Sequence, residues 1–208
     1  MVDVLSTDTE IEAVLAYWFG SEPIDVEPAA LDRRIGMWFG GGAAADDDVR
    51  RALGPLYARA SAGEFDHWAA SPRGRLALLV LLDQVPRQLH RGTAAAYACD
   101  DRALALADEG VELGLDRALG IAERIFFNMP RGHSEELLTQ RRGYAYVTRL
   151  FSVAHPRFRE RFDAIARKHV EVLERFGRFP QRNAALSRVS TEAEREYLEL
   201  LKRTGSPF

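Results

Sequence analysis

Seven consecutive apolar residues, Leu76 to Leu82, follow a Ser71-Pro72 pair. Serine is a favoured N-cap and proline fits the first helical turn, so the pair reads as a helix start. A helix carrying this run is apolar on every side and has to be surrounded by other elements. The run is far too short to span a bilayer. The rest of the sequence is patterned to supply the wrapping. Almost every segment has a helical period, and no run alternates as a half-buried strand would.

Ile11, Val14, Leu15, Trp18 and Phe19 define a first helix, and a loop through Gly20–Pro28 leads to a second with Leu31, Ile35 and Trp38, stopped by Gly40–Gly42. A third starts near Asp46–Asp48 and carries Val49, Leu53, Leu56 and Tyr57 past Pro55. The apolar fourth helix ends at Asp83-Gln84. Further helices are expected over 95–113, 116–128, 135–152, 158–176 and 192–202, the last with a Thr191/Glu194 capping box. Short connections favour antiparallel neighbours. The expectation is one all-α domain over 1–208 with eight or nine helices.

Net charge is −3, which gives no global basic field for nucleic acid, and the start of the chain lacks the features of a signal peptide. A lone cysteine, Cys99, makes no internal disulfide, so the cytoplasm is the default compartment. Of 28 basic residues only Lys168 and Lys202 are lysine, a bias that points to a GC-rich genome. Arginine therefore counts as a signal only in unusual positions.

Such positions exist. His169 interrupts the apolar stripe of Phe158, Phe162, Ile165, Val172, Leu173 and Phe176, and Gln140 interrupts that of Leu137, Tyr144, Val147 and Phe151. His133 lies just before the latter helix, in phase with it. Asp83, at the end of the buried helix, faces the unfavourable end of a helix dipole and needs a cation, with Arg87 one turn away. The loop after His169 brings Arg178, Arg182 and Arg188 together with Asn183. Buried polar groups without partners cost about 1–3 kcal/mol each, so these side chains are expected to meet one another, an arginine or a ligand. Each has an ordinary structural reading too: a hydrogen-bonded core histidine, or an Asp–Arg bridge between helices. The expected arrangement is one cavity around His133, Gln140, His169 and the 178–188 loop.

Several of these segments form longer motifs: V-L-x-Y-W-F-G from Val14, L-D-Q-x-P-R from Leu82, Arg91-Gly92 followed by A-Y-A-C-D from Ala96, M-P-x-x-H-S-E from Met129, and F-G-R-F-P-x-R-N from Phe176. Together they resemble the bacterial family of unknown function 924 over nearly the whole chain. The resemblance implies an all-α fold similar to tetratricopeptide-repeat proteins, with helical hairpins wound into a compact right-handed superhelix. It implies no reaction. Asp83, Arg87, Arg91, Asp100, His133, Glu135, Gln140, His169, Arg178, Arg182, Asn183 and Arg188 match the family's pattern. Arg131-Gly132 and Ser187 depart from it, Ser187 at a position usually held by glycine.

Two functions fit these residues. One is a binding protein in which Asp83, Arg87, Arg91, Gln140, Arg178, Arg182, Asn183 and Arg188 surround a small anionic molecule or a peptide carboxylate. The other is an enzyme acting on a small anionic metabolite, with His133, Glu135 and His169 exchanging protons. No nucleophile elbow, phosphate loop or paired-histidine metal signature is present, so no cofactor or metal is expected. Neither nucleic acid nor membrane is an expected partner. The nine basic residues between Arg157 and Arg188 are interspersed with acids and read as a solvated face plus the site arginines.

Overall fold

The computed structural model describes residues 4–21, 28–40, 42–154 and 156–204. Most of the loop expected at Gly20–Pro28 lies outside them, as does Gly41. The described residues are all-helical and contain no strand. Ten α-helical segments occur: α1 (Val4–Phe19), α2 (Pro28–Ile35), α3 (Gly42–Ser61), α4 (Pro72–Leu79), α5 (Val85–Leu89), α6 (Asp100–Glu112), α7 (Ile121–His133), α8 (Leu137–Phe151), α9 (Pro156–Phe176) and α10 (Glu192–Thr204). A π-helical turn, Val80–Gln84, joins α4 to α5 without a break. Counted as rods, the described residues therefore carry nine helices.

The apolar run sits where its composition requires. Ser71 caps α4 by accepting a hydrogen bond from the Gly74 amide at 3.1 Å. Every residue from Gly74 to Pro86 is buried. Helix α1, α3, α6 and α7 pack around this rod. The helix does not end at Asp83-Gln84, as the sequence suggests, because the π turn carries it on to Leu89. Pro86 is the reason. A proline inside a helix has no N–H to donate and its ring clashes with the carbonyl four residues back. Widening the turn relieves this: the Val85 amide donates to the carbonyl of Val80, five residues earlier.

Consecutive helices α6, α7, α8 and α9 pack each on the next. Trp18, Phe19, Trp38, Phe126 and Phe162 make an aromatic centre, with Trp38 and Phe126 4.5 Å apart at their ring centroids. A second, small cluster of Val172, Leu173, Phe179 and Tyr197 ties the loop after α9 to α10. Thr191 and Glu194 form the expected capping box, each accepting from the other's backbone amide.

Two boundaries differ from expectation. The 95–113 helix divides into a 3-10 turn (Ala94–Tyr97) and α6, and the 116–128 helix into a 3-10 turn (Leu115–Ala118) and α7. Helix α7 also continues through Pro130 to His133, so His133 ends α7 rather than preceding α8. Ser187 has φ +55°, in the left-handed region that favours glycine. Its departure from the family's glycine is therefore a local backbone cost at an exposed loop position.

Candidate functional site

The π turn aims Asp83 across the bundle at the end of α7. The Asp83 carboxylate is 1% exposed and accepts from Nδ1 of His133, at 2.8 Å to Oδ1 and 2.9 Å to Oδ2. Gln84 donates to the same carboxylate, and Arg87 lies 3.4 Å from it. Burial pushes the Asp83 carboxyl up, but Arg87, His133 and Gln84 outweigh this and hold it at about 2. The cation it needs is thus Arg87, as spacing suggests. The need itself arises from burial, since the helix does not end there.

Arg87 is shared. Its guanidinium makes a two-pronged contact with Asp100 at the start of α6, at 2.9 and 3.0 Å. Asp100 also meets Arg182, whose Nη1 is 3.4 Å away. Arg182 donates in addition to the carbonyl of His133 at 2.8 Å and lies over the rings of Tyr97 and Phe179, at 4.8 and 4.6 Å from their centroids. Burial and the neighbouring Arg87 push the Arg182 pKa down from its ordinary value, and Asp100 and Glu135 offset only part of this.

Arg87, Arg182 and His133 line a partly open cavity of about 530 Å³, with Asp83 and Asp100 outside its lining. The rod contributes Gln84, Arg87, Gln88 and Arg91, and the end of α7 contributes Met129 and His133. Helix α9 presents Arg161, Ala164, Ile165, Lys168 and His169, and the following loop adds Phe179, Gln181 and Arg182. Trp38, Phe39, Ala96 and Tyr97 complete an apolar floor. Five lining side chains are basic and none is acidic. Behind the histidines lies a separate small cavity of about 60 Å³, lined by Gln140, Gly132, His133 and His169 among apolar neighbours.

The sequence-derived set therefore divides. Arg87, Arg91, His133, His169 and Arg182 face the large cavity, with Asp83 beneath them. Gln140 faces only the small one, where it donates to the carbonyls of Gly132 and Ser134 and clamps the α7–α8 turn. Glu135, Arg178, Asn183 and Arg188 line neither cavity. Arg188 grips Glu135 with both terminal nitrogens and donates to the Phe179 carbonyl at 3.1 Å. The Phe179 amide in turn donates to Glu135 at 2.7 Å. Arg178 makes a two-pronged pair with Glu194 at 2.7 and 2.8 Å, and Asn183 bridges Ser190 and Glu194. These residues fasten the loop, and Arg182 is the loop arginine that reaches the cavity.

Both histidines are neutral near pH 7. Burial lowers His133, Arg87 lowers it further, and Asp83 only partly compensates. With Asp83 ionised, His133 carries its proton on Nδ1, which leaves Nε2 as an acceptor. His169 sits with its ring centroid 6.1 Å from that of His133. Burial, His133 and Arg182 bring it down to about 3, although its ring is hydrogen-bonded to the Gly132 backbone. No group of three or more His, Cys, Asp or Glu is placed to hold a metal ion among the described residues.

Sequence reasoning left out Lys168, Arg161, Tyr97 and Gln181. Arg161, Ala164, Ile165 and Lys168 follow an i, i+3, i+4, i+7 pattern, which puts two cations and two apolar groups on one face. That signal was present but has the same form as a solvated helix face. The Arg131 departure lies away from the cavity, where its guanidinium pairs with Asp108 at 2.6 Å.

A family model for a bacterial protein of unknown function (DUF924) matches residues 14–201. The chain is similar to a solved structure of a protein of unknown function from Agrobacterium tumefaciens, with 33% identity and a TM-score of 0.78, over 93% of this chain and 98% of that one. Comparison with curated proteins gives no match. The chain belongs to this bacterial family of unknown function.

Proposed function

We propose that this member of the family binds a small anionic molecule in the cavity between α5, α9 and the 94–97 turn. The observation that carries the reading is the charge of the lining. Arg87, Arg91, Arg161, Lys168 and Arg182 face the cavity with no lining carboxylate, in a chain whose net charge is negative. Planar guanidinium groups suit carboxylate or phosphate oxygens. A volume of about 530 Å³ falls in the range of small-molecule sites and supports a small ligand over a peptide terminus. The floor of Trp38, Phe39, Tyr97, Met129 and Ile165 suits an anion with an apolar body. The protein acts in the cytoplasm, and its hairpins wind as in tetratricopeptide-like folds.

A second reading is favoured by the Asp83–His133 contact at 2.8 Å. A buried carboxylate that fixes the Nδ1–H tautomer leaves Nε2 of His133 to take a proton from a bound substrate. Under this reading Asp83 replaces Glu135 as the carboxylate partner, because Glu135 is held by Arg188 and the Phe179 amide.

The test is a thermal-shift and calorimetric screen of small carboxylates and phosphates, with and without an apolar substituent. A ligand response lost in Lys168→Gln and Arg161→Gln supports the binding reading. No response across the panel overturns it. Turnover of a bound compound that disappears in His133→Asn, with binding retained, moves the conclusion to the enzyme.

A further inference from the structure

We propose that the outer face of the α7–α8 hairpin is a second anion site, built for a linear oligophosphate. A cavity of about 460 Å³ lies there, lined by Arg117, Arg124, Arg131, Arg142 and Arg149, with Asp116 its one lining carboxylate. The whole chain holds 31 acidic and 28 basic residues, so five cations to one acid is a local segregation of charge. The general excess of arginine over lysine does not explain it.

The arginines form a ladder. Arg124 and Arg131 are seven residues apart on α7, and Arg142 and Arg149 are seven apart on α8. Seven residues make two turns, a rise of about 10 Å. A short connection makes the helices antiparallel neighbours, so Arg131 lies near Arg142 and Arg124 near Arg149. Contacts fix both rungs. A Cβ on Gly143 would come within 2.9 Å of the Arg131 Cβ, so the glycine next to Arg142 allows Arg131 to lie across α8. At the other rung, Arg124 Nε donates to the Tyr146 hydroxyl at 3.2 Å, and the 3-10 turn holding Asp116 and Arg117 abuts it.

Two of the five are already held by carboxylates. Asp116 takes Arg124 at 3.1 Å and accepts from the Tyr146 hydroxyl at 2.5 Å, while Asp108 takes Arg131 at 2.6 Å. Asn128 accepts a further bond from Arg131 at 3.3 Å. Arg117, Arg142 and Arg149 form no ion pair with a described carboxylate, although Glu136 senses the charge of Arg142. The result is two oriented guanidinium groups beside three cations that no described carboxylate holds, of which Arg149 is steadied by donating from Nε to the Ala145 carbonyl at 3.0 Å. A single phosphate meets one rung. A chain of phosphates spans both, with bidentate guanidinium contacts along its length. Free inorganic oligophosphate and the phosphate chain of a nucleoside polyphosphate share this chemistry.

The site is separate from the proposed ligand cavity. No lining residue is common to both, and Met129 and His133 face the large cavity from the opposite side of α7. The two proposals can therefore fail independently.

Calorimetry on the whole protein with orthophosphate, tripolyphosphate and magnesium-free ATP tests it. Tripolyphosphate is expected to bind at least about tenfold more tightly than orthophosphate, with an affinity that falls as salt rises. Arg142→Gln and Arg149→Gln, both at exposed positions, should each weaken it by about tenfold with an unchanged melting curve. Lys168→Gln should leave it unchanged. ATP binding as tightly as tripolyphosphate assigns the site to the phosphate chain alone, and tighter binding of ATP adds the nucleoside; both support the proposal. Three results overturn it: tripolyphosphate binding no tighter than orthophosphate, binding unmoved by both arginine variants, or binding lost in Lys168→Gln.

Discussion

Nδ1 of His133 lies 2.8 Å from one carboxylate oxygen of Asp83 and 2.9 Å from the other, fifty residues away in the chain. This contact joins the central rod to the end of α7, and both partners are buried or nearly so. Asp83 also answers Arg87, so its loss leaves a partly buried guanidinium with one carboxylate, Asp100, instead of two. Removing one partner of a buried pair costs roughly 3–5 kcal/mol. Asp83→Ala is therefore expected to lower the stability measured by urea denaturation by about that amount. An unchanged midpoint would mean that the contact is solvated in solution.

Lys168→Gln and Arg161→Gln should leave stability nearly unchanged, because the Lys168 ammonium makes only loose contacts, with Glu171 at 3.6 Å and over the Tyr197 ring at 5.9 Å, and Arg161 is exposed at the cavity mouth. Each should weaken an anionic ligand of the large cavity by about tenfold, the worth of one charge-assisted contact. Titration calorimetry with a hit from the ligand screen reads the difference.

Arg188→Ala should show the opposite pattern. Arg188 releases Glu135, the Phe179 carbonyl and Asn183 when removed, so two acceptors on buried residues, at Phe179 and Asn183, lose a donor at about 1–3 kcal/mol each and the half-buried Glu135 loses its cation. The melting temperature should fall while ligand affinity changes little, since the side chain lines neither cavity. A variant that melts normally but loses the ligand would place Arg188 at the site after all.

Acid should destabilise the protein in two stages. His169 is held near 3 when folded, against an ordinary 6.5, so the unfolded chain binds its proton first as pH falls. Stability from this group is full above about pH 6.5 and is lost progressively toward pH 3. At 1.36 kcal/mol per unit the loss between pH 7 and pH 4 is on the order of 3 kcal/mol. Asp83, held at about 2 against 3.8, adds a further loss below about pH 4. Chemical denaturation from pH 7 to pH 4 should show the first stage in the native protein, and His169→Gln should flatten it.

The helical plan was legible because the apolar stripes are strong, and Leu76–Leu82 identified the buried rod. The site was legible only in part, for particular reasons. His133 seemed to precede α8 because Pro130 and Gly132 look like helix breakers, yet α7 runs through both. Spacing brought Asp83 and Arg87 together because they share one rod. No local signal could match Glu135 with Arg188 or Arg178 with Glu194, since those pairs depend on where a loop folds back. All three loop arginines looked equivalent in sequence. Only the path of the loop decides that Arg182 enters the cavity while its neighbours hold the loop in place.

The π turn has a consequence for how this protein tolerates change in length. Each residue advances about 100° around an α-helix, so the extra residue held in Val80–Gln84 turns the following segment by about that angle. Arg87 and Gln88 reach the cavity only after that rotation. Aliphatic exchanges within Leu76–Leu82 that keep volume should leave the downstream phase intact. Deleting a single residue there is absorbed by closing the π turn, which keeps Arg87 in phase with Asp100, whereas a second deletion has no extra residue to take up and would swing Arg87 away by about 100°. Along this rod, register is under tighter constraint than side-chain identity.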